Sequence, residues 1–145
     1  MKKLLFVLLA NLFCFSFLFA GNGKDKWQTF SENLTQSLKS ENPGVKYSAM
    51  QLIIEYSDDV NVQDGVYDVM REFRNNKDQK VRKLALITLY KMKNDWAIDF
   101  LKRQYKYEDN NEIKNTISCI VTAYNSHNEY IVSKDLQKTF ASIKY

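Results

Sequence analysis

The sequence predicts an all-α protein built from about three helical hairpins and a closing helix. Three observations lead to this prediction. A short motif recurs along the chain, apolar residues follow each copy at helical spacing, and the connections between apolar stripes are short and polar. No alternating apolar pattern is long enough to predict a strand. The length of 145 residues fits one small domain.

The first 20 residues are typical of a secretory signal peptide that is cleaved near Ala20. Two lysines are followed by the apolar run 4–20, and a polar glycine-containing turn comes next. An uncleaved anchor is the alternative, although this run is shorter than the roughly 20 residues that a spanning helix needs. Cys14 follows the large residue Phe13, unlike the cysteine of a bacterial lipobox. We therefore predict a signal peptide at 1–20, a helical domain at 21–145 and a periplasmic or secreted protein.

The second helix of each hairpin is predicted to begin at the same motif. The motif is Asn or Asp, two variable residues, Val or Ile, and then Lys or Arg, and its copies begin at Asn42, Asp78 and Asn110. A short side-chain oxygen at each start can accept a hydrogen bond from the free amides of the first turn. Pro43 fits the first helical position, where its missing N–H costs nothing.

Apolar residues follow the Val or Ile of each copy at offsets of 4, 7, 8 and 11, which places them on one side of an α-helix. Only Thr88 departs from this pattern. The three stripes are Val45, Ala49, Leu52, Ile53 and Tyr56; Val81, Ala85, Thr88, Leu89 and Met92; and Ile113, Ile117, Ile120, Val121 and Tyr124.

Four further stripes predict the first helix of each hairpin and the closing helix. They are Trp27, Phe30, Leu34 and Leu38; Val66, Val69, Met70 and Phe73; Trp96, Phe100, Leu101 and Tyr105; and Ile131, Val132, Leu136 and Phe140. Polar connections are predicted at 57–59, 75–77, 108–109 and 125–128. Such short connections make antiparallel neighbours.

The recurring motif, with a small or apolar residue four positions after the Val or Ile, resembles HEAT repeats. The nearest variety is the short HEAT-like repeat of phycobilin-lyase-type proteins and many bacterial scaffolds. The best copy runs from Asp78 through Val81 and Arg82 to Ala85, whereas the third copy has the larger Ile117. The resemblance covers about residues 27–143. Armadillo repeats are a neighbouring interpretation, but the Trp-Gly-Tyr-Ala-Pro pattern of tetratricopeptide repeats is absent.

This resemblance implies a right-handed α-solenoid of about three HEAT-like hairpins plus a closing helix. In that family the motif opens the second helix of each hairpin and holds neighbouring hairpins together. Most members bind other macromolecules, so the resemblance implies binding rather than catalysis. Fold alone does not settle function.

The sequence offers no recognisable catalytic, cofactor or metal site. His127 is the only histidine and Cys119 is the only cysteine after the leader, so no zinc-ligand spacing exists. The acidic stretch 58–65 lacks the spacing and the closing Glu of a calcium loop. No nucleophile elbow or phosphate-binding glycine loop is present. We therefore predict a non-enzyme without cofactors, and a buried Cys119 that acts as a small hydrophobe.

Charge is distributed unevenly along the chain. Residues 41–72 carry a net charge of −5, and residues 73–106 carry +7. One interpretation is solvated outer faces, with Arg82 bonding locally between repeats. The other is a basic docking surface for an acidic partner. The candidate residues of that surface are Lys80, Lys83, Lys102, Arg103 and Tyr105, with Tyr107 and Tyr90 as further contact area.

These features favour an exported, non-catalytic protein–protein interaction or scaffold module that binds a protein or peptide of the cell envelope. A small-ligand or polyanion-binding protein that uses the basic band 74–106 is the first alternative. A self-associating structural protein is the second. Without the leader the net charge falls from +4 to +2, which is too mild to indicate nucleic acid or membrane as a partner.

Overall fold

The computed structural model describes residues 23–126, which form six α-helices, two short 3₁₀ helices and no strand. This confirms the predicted all-α class for that part of the chain. The helices are α1 Gly23–Leu38, α2 Pro43–Glu55, α3 Val66–Asn75, α4 Gln79–Lys91, α5 Asp95–Gln104 and α6 Asn111–Ser126, and the 3₁₀ helices are Gln63–Gly65 and Tyr105–Tyr107. The predicted signal peptide 1–20 and the predicted closing helix 131–140 lie outside the described residues.

The six helices pack as neighbours in pairs. α1 packs against α2, α3 against α4, and α5 against α6. The second helices also pack on one another, because α2 contacts α4 and α4 contacts α6. The central helix α4 is therefore the most enclosed element, and eight of its residues are buried.

The predicted helix starts are confirmed. The Asn42 side chain accepts from the amide of Gly44 at 2.9 Å, and the Asp78 side chain accepts from the amide of Lys80 at 2.8 Å. Asn110 Oδ1 accepts from two amides of the first turn of α6, both at 3.0 Å. These bonds satisfy amides that have no carbonyl partner within the helix.

The core consists of the apolar stripes where second helices meet first helices. Phe73 of α3 and Phe100 of α5 meet edge to face, with ring centroids 6.0 Å apart. Thr88, the one polar residue in the stripes, is fully buried. Its hydroxyl donates to the carbonyl of Leu84 at 2.8 Å, so this polar group is satisfied within its own helix.

Several stripe residues are more exposed than the sequence pattern predicts. Val45 is 41% exposed, whereas the equivalent Val81 is 3% exposed. Val81 lies in the first turn of α4, which packs on the preceding second helix α2. Among the described residues no second helix precedes α2, so no such helix covers Val45. Trp96 and Tyr105 are exposed as well, because each lies at an end of α5 rather than over the core.

Two predicted details need correction. Residue 75 belongs to α3 and residues 125 and 126 belong to α6, so none of the three lies in a connection. Cys119 is half-buried and not buried. The predicted loop residue His127 lies outside the described residues.

Candidate functional site

Six exposed cations lie at one edge of the helix array, and this group is called the basic edge. α3 and α5 end at this edge, and α4 and α6 begin there, because paired helices run antiparallel. The basic edge consists of Arg74, Lys77, Lys80, Lys102, Arg103 and Lys106, all of them exposed. Three of the five candidate residues, Lys80, Lys102 and Arg103, therefore lie near helix ends at the same edge, where Asp78, Asp109 and Glu112 are exposed as well. Lys102 Nζ also lies 3.0 Å from Asp99 Oδ1 on its own helix.

Lys83 differs from the other candidates. It is only 9% exposed, and its ammonium group pairs with the Glu112 carboxylate at the start of α6. This ion pair joins the second hairpin to the third. The Lys83 side chain therefore packs between the two hairpins and is not accessible as a docking contact.

Tyr105 lies at the basic edge in the 3₁₀ helix after α5 and is 40% exposed. Lys114 Nζ lies 5.2 Å from the centroid of its ring, which is within the range of a cation–π contact. Tyr107, two residues further on, is 79% exposed and offers the larger accessible aromatic surface. Tyr107 is thus a more accessible aromatic contact residue for this surface than Tyr105.

A cleft of about 510 Å³ lies at the basic edge, between the α3–α4 connection and the segment that leads into α6. Arg74 and Lys77 line one side, and Tyr107 and Asn110 line the other. The cleft is polar and open, which suits an extended acidic segment more than an apolar small molecule.

Arg82 also lines this cleft and joins three parts of the structure. Its Nε donates to the carbonyl of Phe73 at 3.0 Å, and its guanidinium carbon lies 4.9 Å over the Phe73 ring. Both terminal nitrogens donate to the Glu108 carboxylate, one of them at 3.3 Å. Such a two-pronged pair fixes both partners in one geometry. Arg82 therefore bonds between hairpins, as the first interpretation of the charge pattern predicts.

The first repeat contains the same kind of ion pair. Lys46 Nζ lies 2.5 Å from Glu72 Oε1, and the two residues are 26 positions apart, as are Arg82 and Glu108. Asn76 Nδ2 donates to Glu72 at 3.2 Å and to the Tyr47 hydroxyl at 2.9 Å. The cation of the repeat motif thus reaches an acidic residue of the next hairpin in both copies. The constant spacing is a sequence signal for these two glutamates, which sequence reasoning missed.

These ion pairs change the acidity of both glutamates. Burial alone would raise the pKa of Glu72, but hydrogen bonds from Lys46 and Asn76 outweigh it and hold the pKa below its ordinary value. Burial would likewise raise the pKa of Glu108. Hydrogen bonds from Arg82 and the Asn110 amide outweigh this effect, so the pKa of Glu108 is also lowered. Both carboxylates are therefore held ionised in the folded protein.

The opposite edge of the array carries more exposed acidic residues than basic ones, and its exposed Lys93 lies 3.4 Å from Asp58. Glu55, Asp58, Asp59 and Asp64 are exposed where α2 ends and α3 begins. The uneven charge of the sequence therefore separates the two opposite edges of the array. It does not only separate an acidic hairpin from the basic hairpin that follows it.

Within residues 23–126 no group of three or more His, Cys, Asp or Glu side chains is placed to hold a metal ion. In the same range, no helix has the length and apolar character needed to cross a membrane. Comparison with protein-family models, with curated proteins and with solved structures finds no match to this chain.

Proposed function

We propose that this chain is an exported, non-catalytic interaction module that binds an acidic segment of a protein partner in the cell envelope at the basic edge. The observation that carries the proposal is the gathering of six exposed cations beside the exposed Tyr107 and an open polar cleft. Two cations of the repeat motif, Lys46 and Arg82, form ion pairs between hairpins, whereas the six cations of the basic edge are all exposed to solvent. A field of one sign speeds encounter with an oppositely charged partner and selects for it.

The proposal includes a right-handed α-solenoid, as the resemblance to HEAT repeats implies. Two observations support it: consecutive second helices pack on one another, and the Lys46–Glu72 geometry recurs as Arg82–Glu108. In a solenoid each repeat contacts only its neighbours. An experimental structure with a closed or left-handed arrangement of the hairpins would contradict this part of the proposal.

The proposal also includes export by the leader 1–20, with the mature protein in the periplasm or outside the cell. Intact-mass measurement of the protein recovered from the host envelope tests this part. Removal of the first 20 residues is expected. A mass that includes them would support the anchor alternative instead.

The binding test compares two charge-reversal variants with the same change in net charge. The first is Lys102→Glu with Arg103→Glu at the basic edge, and the control is Lys26→Glu with Lys93→Glu away from it. A partner captured from host envelope extract by the native chain and the control, but not by the first variant, is the expected result. A partner retained by all three chains would place the binding site elsewhere.

Salt and a simpler polyanion separate this proposal from the polyanion alternative. The captured protein should also bind in purified form, with affinity that falls as salt rises above the roughly 0.15 M at which the Debye length is about 8 Å. If an acidic polysaccharide binds as tightly as the captured protein and competes with it fully, the polyanion alternative replaces the proposal.

A further inference from the structure

An apolar groove lies uncovered at the end of the array formed by α1 and α2. Its volume is about 370 Å³, and Leu34, Val45 and Leu52 are among the residues that line it. Val45 is 41% exposed, whereas Val81 and Ile113 at the same repeat position are 3% and 0% exposed. The same structural position is thus buried in two copies and open in the first.

In the second and third copies an α-helix covers this position. α2 lies before α4 and packs on it, and α4 lies before α6 and packs on it. The covering side of α2 includes Tyr47, which bonds to Asn76 of the next hairpin, and Met50, which is fully buried. Ile54 continues the same side one turn further on. The groove on α2 therefore has the form that accepts a helix with apolar residues at this spacing.

Acidic residues stand at both ends of the groove. Glu41 lies two residues before Pro43, the first residue of α2, and Glu55 is the last residue of α2; both are exposed. Val45, Ser48, Leu52 and Glu55 follow the helical spacing of one side of α2, and Glu41 lies next to the N-cap Asn42, which lines the groove. An occupant with basic residues at both ends of its apolar stripe would match this arrangement.

A second copy of the chain does not supply such a helix through the other end of the array. The positions in α6 that are equivalent to Tyr47 and Met50 are Asn115 and Ser118, and both are polar and exposed. Thr122, equivalent to Ile54, is exposed as well. Stacking α6 on this groove would bury polar groups without partners, which is costly. Head-to-tail stacking of a second copy through α6 is therefore unfavourable, which favours a different protein as the occupant.

We infer that the α1–α2 groove binds an amphipathic α-helix of a partner protein, with a short apolar stripe flanked by basic residues. This surface is separate from the basic edge and has the opposite charge preference. Helix-in-groove binding of this kind depends on a few apolar anchors at i, i+3 and i+7. The inference does not rest on the proposed function.

The test uses a fluorescent peptide with the sequence of Pro43–Glu55 and lysines added at both ends, titrated with the full-length chain. Saturable binding is expected, followed by fluorescence anisotropy. Val45→Glu should weaken it about tenfold or more, since it replaces an apolar contact with a charge. Glu41→Lys with Glu55→Lys should also weaken it, whereas Thr122→Glu on α6 should leave it unchanged. Circular dichroism shows that each variant keeps its helix content.

Four outcomes would overturn the inference. Two are a failure of the peptide to bind and equal binding by the native chain and Val45→Glu. The third is binding only after residues 127–145 are removed, which would make the chain's own tail the occupant. The fourth is a dimer of the native chain that Val45→Glu dissociates, which would make a second copy the occupant. The Lys102→Glu, Arg103→Glu variant should bind the peptide normally, so a failure of the proposed function is recognised separately.

Discussion

At the residue scale, the two repeat-motif cations that form equivalent ion pairs are not interchangeable. Arg82 has enough donors to reach a carbonyl and both oxygens of a carboxylate at once, and its flat guanidinium lies over the Phe73 ring. Lys46 offers one ammonium to Glu72, and Asn76 adds a second bond to that carboxylate. The second junction between hairpins is therefore the more strongly cross-linked of the two.

Arg82→Ala should lower the free energy of unfolding by about 2 kcal/mol, because it leaves the Glu108 carboxylate with the Asn110 amide and no cationic partner. Urea denaturation followed by circular dichroism measures the change. The control is Lys106→Ala at the exposed basic edge, which should stay within about 0.5 kcal/mol of the native chain. Equal losses in the two variants would contradict the structural role of Arg82.

The lowered pKa values of Glu72 and Glu108 predict a pH dependence of stability. A carboxyl whose folded pKa lies below its unfolded value contributes stability above the unfolded pKa, near 4.5, and this contribution is lost as the pH falls through the folded pKa. The Glu72→Gln, Glu108→Gln variant should therefore be less stable than the native chain at pH 7. The difference should shrink as the pH falls below about 4.5. Urea titrations at a series of pH values measure it, and a constant difference from neutral to acid pH would contradict the prediction.

At the element scale, helix starts were predictable from sequence because an N-cap acts within a few residues of itself. Asn42, Asp78 and Asn110 all cap their helices as predicted. Lys93 was not predictable in the same way, since its positive φ of 50° closes the tight α4–α5 connection although glycine is the usual residue there. The neighbouring Asn94 caps α5 through the amide of Ala97.

Asn110→Ala should lower the free energy of unfolding by about 1 kcal/mol, because it removes an acceptor for two amides of α6. Asn110→Asp is the matched control and should keep most of the stability, since aspartate caps equally well. Thermal unfolding measures both. Equal destabilisation by the two changes would mean that the side chain acts through something other than the cap.

The burial of a side chain was predictable from the sequence only where the repeat pattern also predicts the helix that covers it. Val81 and Ile113 are buried because a preceding second helix covers them, and Val45 has the same motif position without that cover. Lys83 looked like a surface cation, yet Glu112, 29 residues further on, pairs with it between hairpins. Lys83 is therefore not accessible as a docking contact, whereas Lys80, Lys102 and Arg103 are exposed near helix ends at one edge of the array.

At the scale of the whole molecule, the two ends of the helix array formed by residues 23–126 differ in chemistry. The α2 end presents Val45 and Leu52, and the α6 end presents Ser118 and Thr122. A head-to-tail contact between copies would join an apolar face to a polar one. The polar face of α6 thus disfavours the self-associating alternative in its head-to-tail form.

Ser118→Leu with Thr122→Leu should convert the chain into a concentration-dependent oligomer, because it gives α6 an apolar face that fits the groove on α2. A heterologous contact of this kind extends into open chains. Sedimentation velocity over a range of concentrations measures the association. Adding Val45→Glu should restore the smaller species, and persistence of the oligomer would show that the new contact uses a different surface.

The ion pairs between hairpins also have a consequence for how a gene of this kind can change length. Lys46 and Arg82 are 36 residues apart, and so are their partners Glu72 and Glu108. Duplication of one such 36-residue block in frame would place every new cation 26 residues before a new glutamate. An ancestor with fewer hairpins could thus gain one in a single genetic event, with the junctions already matched at both borders.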